Sequence, residues 1–187
     1  MMGSTDSPFL MATLVDFEIE RLAKRRGLVS PYEPRQLNPA SYDVTLGTVF
    51  KTPDPKAVFS PNLKEEEKWK TTVLDAGESL HLPPNGFILA HTQEFLHLAD
   101  DIEAQFILKS SRGREGWNHA LSGYIDPGYS GQITLELKNY NPLFPLELYP
   151  GMRIGQIKFS LLDVVPHKTY KQTGRYNNAQ GVETSKG

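Results

Sequence analysis

Lys109-Ser110-Ser111-Arg112-Gly113-Arg114 sets two hydroxyls and three cations within six residues, the donor inventory that a polyphosphate needs. A little further on, Ile125-Asp126-Pro127-Gly128-Tyr129-Ser130-Gly131 reads as a turn, and Gln132 to Leu137 as a strand of period two. Ile133, Leu135 and Leu137 fall on one face of that strand, and Gln132, Thr134 and Glu136 on the other. Glu136 therefore stands mid-strand on the polar face, with Asp126 in the turn before it. Phosphate-binding chemistry and two acids share one short span. An ordinary reading stays open for each: Glu136 as a solvent-facing strand residue, Asp126 as a turn cap, and Ser110, Ser111 and Arg114 as loop residues near an ion pair.

The elements that must position these groups are mostly strands. Residues 14–26 predict one amphipathic helix, with Leu14, Val15, Ile19, Leu22 and Ala23 at helical spacing, acids early, bases late and Gly27 as a stop. The Arg/Lys run at its end reads as a solvated helix terminus. Beyond it, 14 prolines and 15 glycines punctuate short apolar runs, including Tyr42–Leu46, Gly86–Ala90, Ala104–Leu108, Leu146–Leu148 and Ile154–Phe159. Short strands with regular turn signals predict a β-sandwich or barrel, not a doubly wound sheet. Pro53 to Thr72, with Lys64-Glu65-Glu66-Glu67-Lys68, reads as an exposed insertion. From Thr169 onward the apolar residues thin out while Tyr170, Arg175, Tyr176 and Gln180 remain. That tail either frays or closes over a ligand.

At 187 residues the chain fits one domain with a proper core. A net charge of −2 without a long basic block argues against nucleic acid as a partner. There is no cysteine, which removes disulfides and closes the Cys/His zinc chemistry of zinc-dependent nucleoside deaminases. His81, His91, His97, His119 and His167 show no metal-ligand spacing and read as scattered core or surface residues. No apolar run approaches ~18 residues, so no membrane span is expected. The start of the chain lacks signal-peptide character, residues 1–13 read as a flexible leader, and the expected location is cytoplasmic.

Taken together these segments resemble the dCTP deaminases, relatives of the trimeric dUTPases, over nearly the whole chain. The resemblance rests on Asn38-Pro39-Ala40-Ser41-Tyr42-Asp43-Val44-Thr45-Leu46-Gly47, on Lys109-Ser110-Ser111 with Arg114 and Gly116, and on the I-D-P-G-Y-S-G turn. It continues through Leu135-Glu136-Leu137-Lys138-Asn139, Pro150-Gly151-Met152-Arg153-Ile154-Gly155-Gln156 and Arg175-Tyr176 with Gln180-Gly181. It implies a mainly β, dUTPase-like fold, a distorted jelly-roll barrel with an N-terminal helix over residues 14–168. It also implies a tail at 169–187 that closes over the active site, and a homotrimer with sites between subunits. The implied reaction removes ammonia from C4 of dCTP without zinc, with Mg²⁺ carried on the triphosphate and no metal ligand from the protein. In that resemblance Glu136 matches the catalytic glutamate and Ser110 the serine beside the attacking water. Lys109, Ser111 and Arg114 match phosphate contacts, Arg114 reaching a neighbouring subunit's nucleotide. Asp126 matches the acid near the deoxyribose 3′-hydroxyl, and Tyr170 and Arg175 match tail residues over the nucleotide.

The chemistry suits those types: water attacking C4 needs a base, then a proton relay to N3 and the departing amine, and one carboxylate can serve throughout. A hairpin through Pro127-Gly128 would set Glu136 opposite Leu121 or Ser122.

Three departures from the family pattern mark this chain. The run before Ile125-Asp126 reads Leu121-Ser122-Gly123-Tyr124 and the segment from Gly116 to Gly123 is one residue short, which predicts that Leu121, Ser122 and Trp117 reshape the base pocket and admit a 5-substituted cytosine. Gly123 and Gln156 resemble the subgroup that also cleaves the triphosphate and forms dUMP, with the Gln156 amide ordering a second water. The tail glutamine, Gln180, falls one place later than in the family, where this chain has Ala179. Besides the deaminase, three alternatives stay open: a dUMP-forming bifunctional enzyme, a dUTPase using Asp126, and a regulator that binds dCTP or dTTP without turnover. dTTP is a possible inhibitor of an active enzyme.

Overall fold

The computed structural model describes residues 12–56, 68–120 and 122–186. In chain order its elements are β1 (Ala12–Thr13), helix α1 (Asp16–Arg26), β2 (Val29–Ser30), β3 (Leu37–Asn38), β4 (Ser41–Thr45), β5 (Val49–Pro53), β6 (Trp69–Val73) and β7 (Leu80–Leu82). They continue with β8 (Phe87–His97), β9 (Ile102–Leu108), α2 (Ser110–Glu115), β10 (Trp117–His119), β11 (Tyr124–Ile125), β12 (Ser130–Asn139), β13 (Leu146–Leu148), β14 (Arg153–Leu161) and α3 (Tyr170–Thr173). One sheet runs β11-β9-β14-β4-β3 with β1 added along β14. The other runs β10-β12-β8-β5-β6 with β2 added along β8, and β13 pairs with β7.

One hydrophobic cluster draws on both six-stranded sheets: Tyr42, Val44, Phe106, Ile157 and Phe159 from the first, Phe50, Ile88, Ala90, Leu135 and Leu137 from the second. This is the mainly β, two-sheet layering that the turn-punctuated sequence predicts, and it is consistent with the jelly-roll-like fold that the resemblance implies. Leu135 and Leu137 are both 0 % exposed, and full burial of each contributes about 1.5–3 kcal/mol. That gain pins the register of β12, because a slip by one residue would turn both leucines outward and Glu136 inward.

Helix α1 keeps its expected end at Gly27, whose φ of 68° suits a left-handed cap. It starts two residues later than the periodicity predicts, because Leu14 N–H is still bonded to Phe159 O in the sheet (2.9 Å). Ala12 and Thr13, grouped by sequence with the leader, pair with Leu161 and Ser160 of β14; residues 1–11 lie outside the described residues. The reading of Pro53 to Thr72 as an exposed insertion needs correction. Its two ends are strands β5 and β6 of the second sheet, with Pro53 opposite Trp69 and Thr52 opposite Lys70. The run of charges hid the pairing; residues 57–67 are not among those described.

Strand β8 turns a corner at Thr92–Glu94, where three residues oppose the single Ile133 of β12. The Glu94 carboxylate, 2 % exposed, secures that corner by accepting from Thr45 N–H, Thr45 Oγ1 and Gln36 Nε2 at 2.8–2.9 Å. Just before it, the His91 ring lies against Gly47, where an added Cβ would fall 2.0 Å from His91 Cε1. Its Nδ1 sits 2.9 Å from Thr92 O and its Nε2 accepts from Val49 N–H at 3.3 Å, an arrangement that a neutral ring satisfies. Burial pushes the His91 imidazole below its ordinary value.

Two outcomes are expected in urea unfolding. Gly47→Ala loses about 1–3 kcal/mol from overpacking against the His91 ring; an unchanged midpoint would contradict that contact. Stability also falls as the pH drops through about 6.5, because the unfolded chain takes a proton that the buried ring refuses. The difference between midpoints at pH 7.5 and pH 5.5 shrinks in His91→Gln.

Candidate active site

Three side chains on the outer face of β12, Gln132, Thr134 and Glu136, line a cavity of about 530 Å³. Its other walls are Trp69, Phe87 and Leu89, then Ser122 and Tyr124 to Asp126, and tail residues beyond. Glu136 sits opposite Leu89 of β8, and on its other side its carbonyl accepts from Ala120 N–H (3.1 Å). The expected partners were Leu121 or Ser122, from a hairpin closed at Pro127-Gly128. No such hairpin forms. After His119 the chain leaves the sheet of β12, and β11 pairs with β9 in the other one. Gly123 makes that crossing possible: its carbonyl accepts from Phe106 N–H at 2.7 Å, and a Cβ there would lie 2.6 Å from Phe106 O. The glycine singled out as a mark of dUMP-forming enzymes thus has a packing role in this chain.

Beside the Glu136 carboxylate stands a histidine that no sequence motif marks. His119 Nε2 lies 3.3 Å from Glu136 Oε2 without hydrogen-bond geometry, and both atoms are enclosed with no other partner. His119 is 8 % exposed, and the Phe106 ring packs on its imidazole at 4.6 Å. Its signal was tertiary only, since strand pairing between β10 and β12 brings the two together.

Asp126 is exposed and lines the cavity, as does Ser122. The Tyr129 and Tyr170 rings meet at 5.5 Å, and Tyr170 N–H donates to Pro127 O at 2.8 Å. Burial pushes both phenols above the usual tyrosine range. The tail is packed in place: Asn178 N–H donates to Ser130 O (2.7 Å) and Gln132 N–H to Ala179 O (3.0 Å). Ala179, buried, belongs to the cavity lining, whereas Gln180 is exposed and outside it. Arg175 is also exposed and outside the lining, its carbonyl taken by Lys186 Nζ at 3.1 Å. Trp117, assigned to the base pocket from sequence, is a core residue at 3 % exposure; its side chain faces inward because β10 packs that face on the core. Leu121 lies outside the described residues.

The phosphate-type residues gather elsewhere. Lys109 caps α2, and its Nζ lies 2.6 Å from both oxygens of Asp43, a carboxylate 2 % exposed on β4. Asn38 Nδ2 donates to Asp43 Oδ1 at 2.8 Å, and Arg153 stands 3.7 Å away. Gln156 Oε1 accepts from Ser41 Oγ at 2.8 Å. Ser110, Ser111 and Arg114 are exposed on α2. None of Lys109, Ser110, Ser111, Arg114 and Gln156 lines the Glu136 cavity. The Glu136 carboxylate thus lines a cavity, and the cluster of cations and hydroxyls lies outside it. No group of three or more acid or histidine side chains suited to a metal occurs among the described residues; the hydroxyls and cations of α2 suit phosphate oxygens.

Asp43 is the keystone of the second cluster. Asp43→Asn is expected to cost about 2–3 kcal/mol in urea unfolding, below the ~3–5 kcal/mol of a fully buried pair because Lys109 keeps partial solvent access.

A sequence profile for dCTP deaminase-like proteins matches residues 13–162. The dCTP deaminase, dUMP-forming, of Coprothermobacter proteolyticus is 41% identical, covering 91% of this chain and 93% of that one. Its counterpart in Methanopyrus kandleri is 36% identical, covering 94% and 96%. Among solved structures, 2′-deoxycytidine 5′-triphosphate deaminase from Agrobacterium tumefaciens shares the fold, with a TM-score of 0.65 and 24% identity over 81% of this chain. That match spans 48% of the Agrobacterium chain, about half its length. The profile covers both sheets and the strand that carries Glu136, and on that ground the chain belongs to the dCTP deaminase-like family.

Proposed function

We propose that the protein hydrolyses the C4 amine of dCTP, or of a 5-substituted dCTP, and goes on to release pyrophosphate, so that the product is dUMP. The observation that carries the reading is Glu136: a carboxylate in the middle of a buried-face strand, directed into a cavity, with an enclosed oxygen that no hydrogen bond satisfies. An unsatisfied enclosed acceptor is costly in a resting fold and suits a site where a water or an N–H arrives with the substrate.

Glu136 takes a proton from the water as its oxygen bonds to C4. It passes that proton to N3, takes the second one from the new C4 hydroxyl and gives it to the amine, and the C4–N bond breaks to release ammonia as the C4 carbonyl forms. His119 braces the carboxylate from β10. Asp126 and the Tyr129–Tyr170 pair flank the sugar end of the cavity, and the apolar wall of Trp69, Phe87 and Leu89 shields the base end from water.

The hydroxyls and cations that would hold the triphosphate lie outside the cavity that holds Glu136. This separation supports a homotrimer in which α2 of one subunit, with Ser110, Ser111 and Arg114, faces the nucleotide of another. Mg²⁺ carried on the triphosphate would neutralise part of its charge there. The names of the relatives support the dUMP-forming outcome, and so does Gln156. Ser41 holds the Gln156 carbonyl oxygen, which leaves its amide N–H₂ to donate toward phosphate or water.

Incubation with dCTP and Mg²⁺, with dUTP alone in parallel, resolves the outcomes. Direct dUMP with pyrophosphate is expected. Accumulated dUTP would remove the cleavage step, and dUTP cleavage without deamination would transfer the base role to Asp126. Tight binding without product would make the protein a regulator. Glu136→Gln lowers kcat about 10²–10⁴-fold. His119→Phe keeps the packing on Phe106 and lowers kcat about ten- to a hundredfold.

A further inference from the structure

We infer that Gln132 is a positioning residue, a latch that seats the C-terminal tail along the outer face of β12 beside Glu136; the inference rests on the deaminase reading of that cavity. The tail first joins the backbone of β12, once through a side chain and then through its own backbone. Ser130 N–H donates to Asn177 Oδ1 (2.9 Å), Asn178 N–H to Ser130 O (2.7 Å), and Gln132 N–H to Ala179 O (3.0 Å). Gly131 and Ala179 form a parallel bridge there. The strand has been cleared for this approach: a Cβ on Gly131 would fall 2.7 Å from Ala179 N and 3.0 Å from Ala179 O.

Beyond Ala179 the backbone ladder stops and side chains of β12 take over. Gln132 Oε1 accepts from Gly181 N–H at 2.7 Å, and Thr134 Oγ1 accepts from Glu183 N–H at 3.0 Å. Alternate tail N–H groups are thus fastened to successive residues on the face that ends at Glu136. The Gln132 carboxamide is oriented from its other end, where Nε2 donates to Gln93 O in the β8 corner at 3.1 Å. Its two ends face an acceptor and a donor, so a flipped amide would lose both bonds. At 9 % exposure the group is largely shielded from competing water. Gln180, the glutamine of the tail itself, is exposed and has no part in this seat. A carboxamide from the sheet holds the tail from beneath.

Gln132→Met keeps the side-chain length and removes both hydrogen bonds; Thr134→Val keeps the shape and removes the second acceptor. Full-length protein is digested with limiting trypsin, and cleavage after Arg175 is followed by mass. Steady-state kinetics on dCTP with Mg²⁺ run alongside. One hydrogen bond of net worth near 1 kcal/mol corresponds to about fivefold. Gln132→Met is therefore expected to cleave about fivefold faster, and its KM for dCTP to rise by a similar factor with kcat within about twofold, the pattern of lost uniform binding. Thr134→Val shifts both in the same direction, and carries the test if Gln132→Met fails to fold. Unchanged cleavage in a folded variant overturns the latch. Faster cleavage with unchanged KM overturns its service to the nucleotide. A wild type with a protected tail and no deamination sinks the functional reading and leaves the latch standing.

Discussion

The two-faced character of β12 is the constraint on which the rest of the molecule depends. Leu135 and Leu137 are sealed in the core, and their burial holds the strand in one register against β8. Because side chains alternate, the same register delivers Gln132, Thr134 and Glu136 to the opposite face in a row. The hydrophobic effect thus positions a carboxylate it never touches. Any loosening of the leucines would move the acid, the tail seat and the cavity wall together.

Around that strand the chain solves a routing problem. β10 and β12 are neighbours in one sheet, yet the segment between them visits the other sheet as β11. The detour carries Tyr124 and Asp126 over the mouth of the cavity while leaving His119 beneath, against Glu136. Glycines sit where backbones come too close for a side chain: Gly123 against Phe106, Gly131 against Ala179. These two positions look alike in sequence, as loop and turn glycines, but each permits a different long-range contact.

The second cluster follows a different logic. Asp43 is almost wholly buried, and Lys109, Asn38 and Arg153 gather on it. Lys109 thereby fixes the start of α2, so that Ser110, Ser111 and Arg114 project from a rigid base into solvent. A cation that reads as a phosphate contact in sequence is engaged in the fold as a tether, Arg112 pairs with Glu115 at 2.8 Å, and the donors left toward solvent are Ser110, Ser111 and Arg114.

The sequence by itself determined the mainly β class, helix α1 and its glycine stop, most strand positions, and the outward placement of Glu136. Those features are local: periodicities of two and 3.6, turn residues and caps act within a few residues of one another. It also carried the motifs by which family membership is legible. Tertiary structure alone decided that His119 meets Glu136, that Trp117 belongs to the core, and that Pro53 and Trp69 are paired strand residues rather than an insertion. It alone placed Ala179 rather than Gln180 in the cavity lining, and separated the phosphate-type donors from the carboxylate. Each of these depends on which strands become neighbours and on the two sheets closing over one core. That choice is settled by burial and hydrogen-bond satisfaction summed over the whole chain, and no short window of residues contains it.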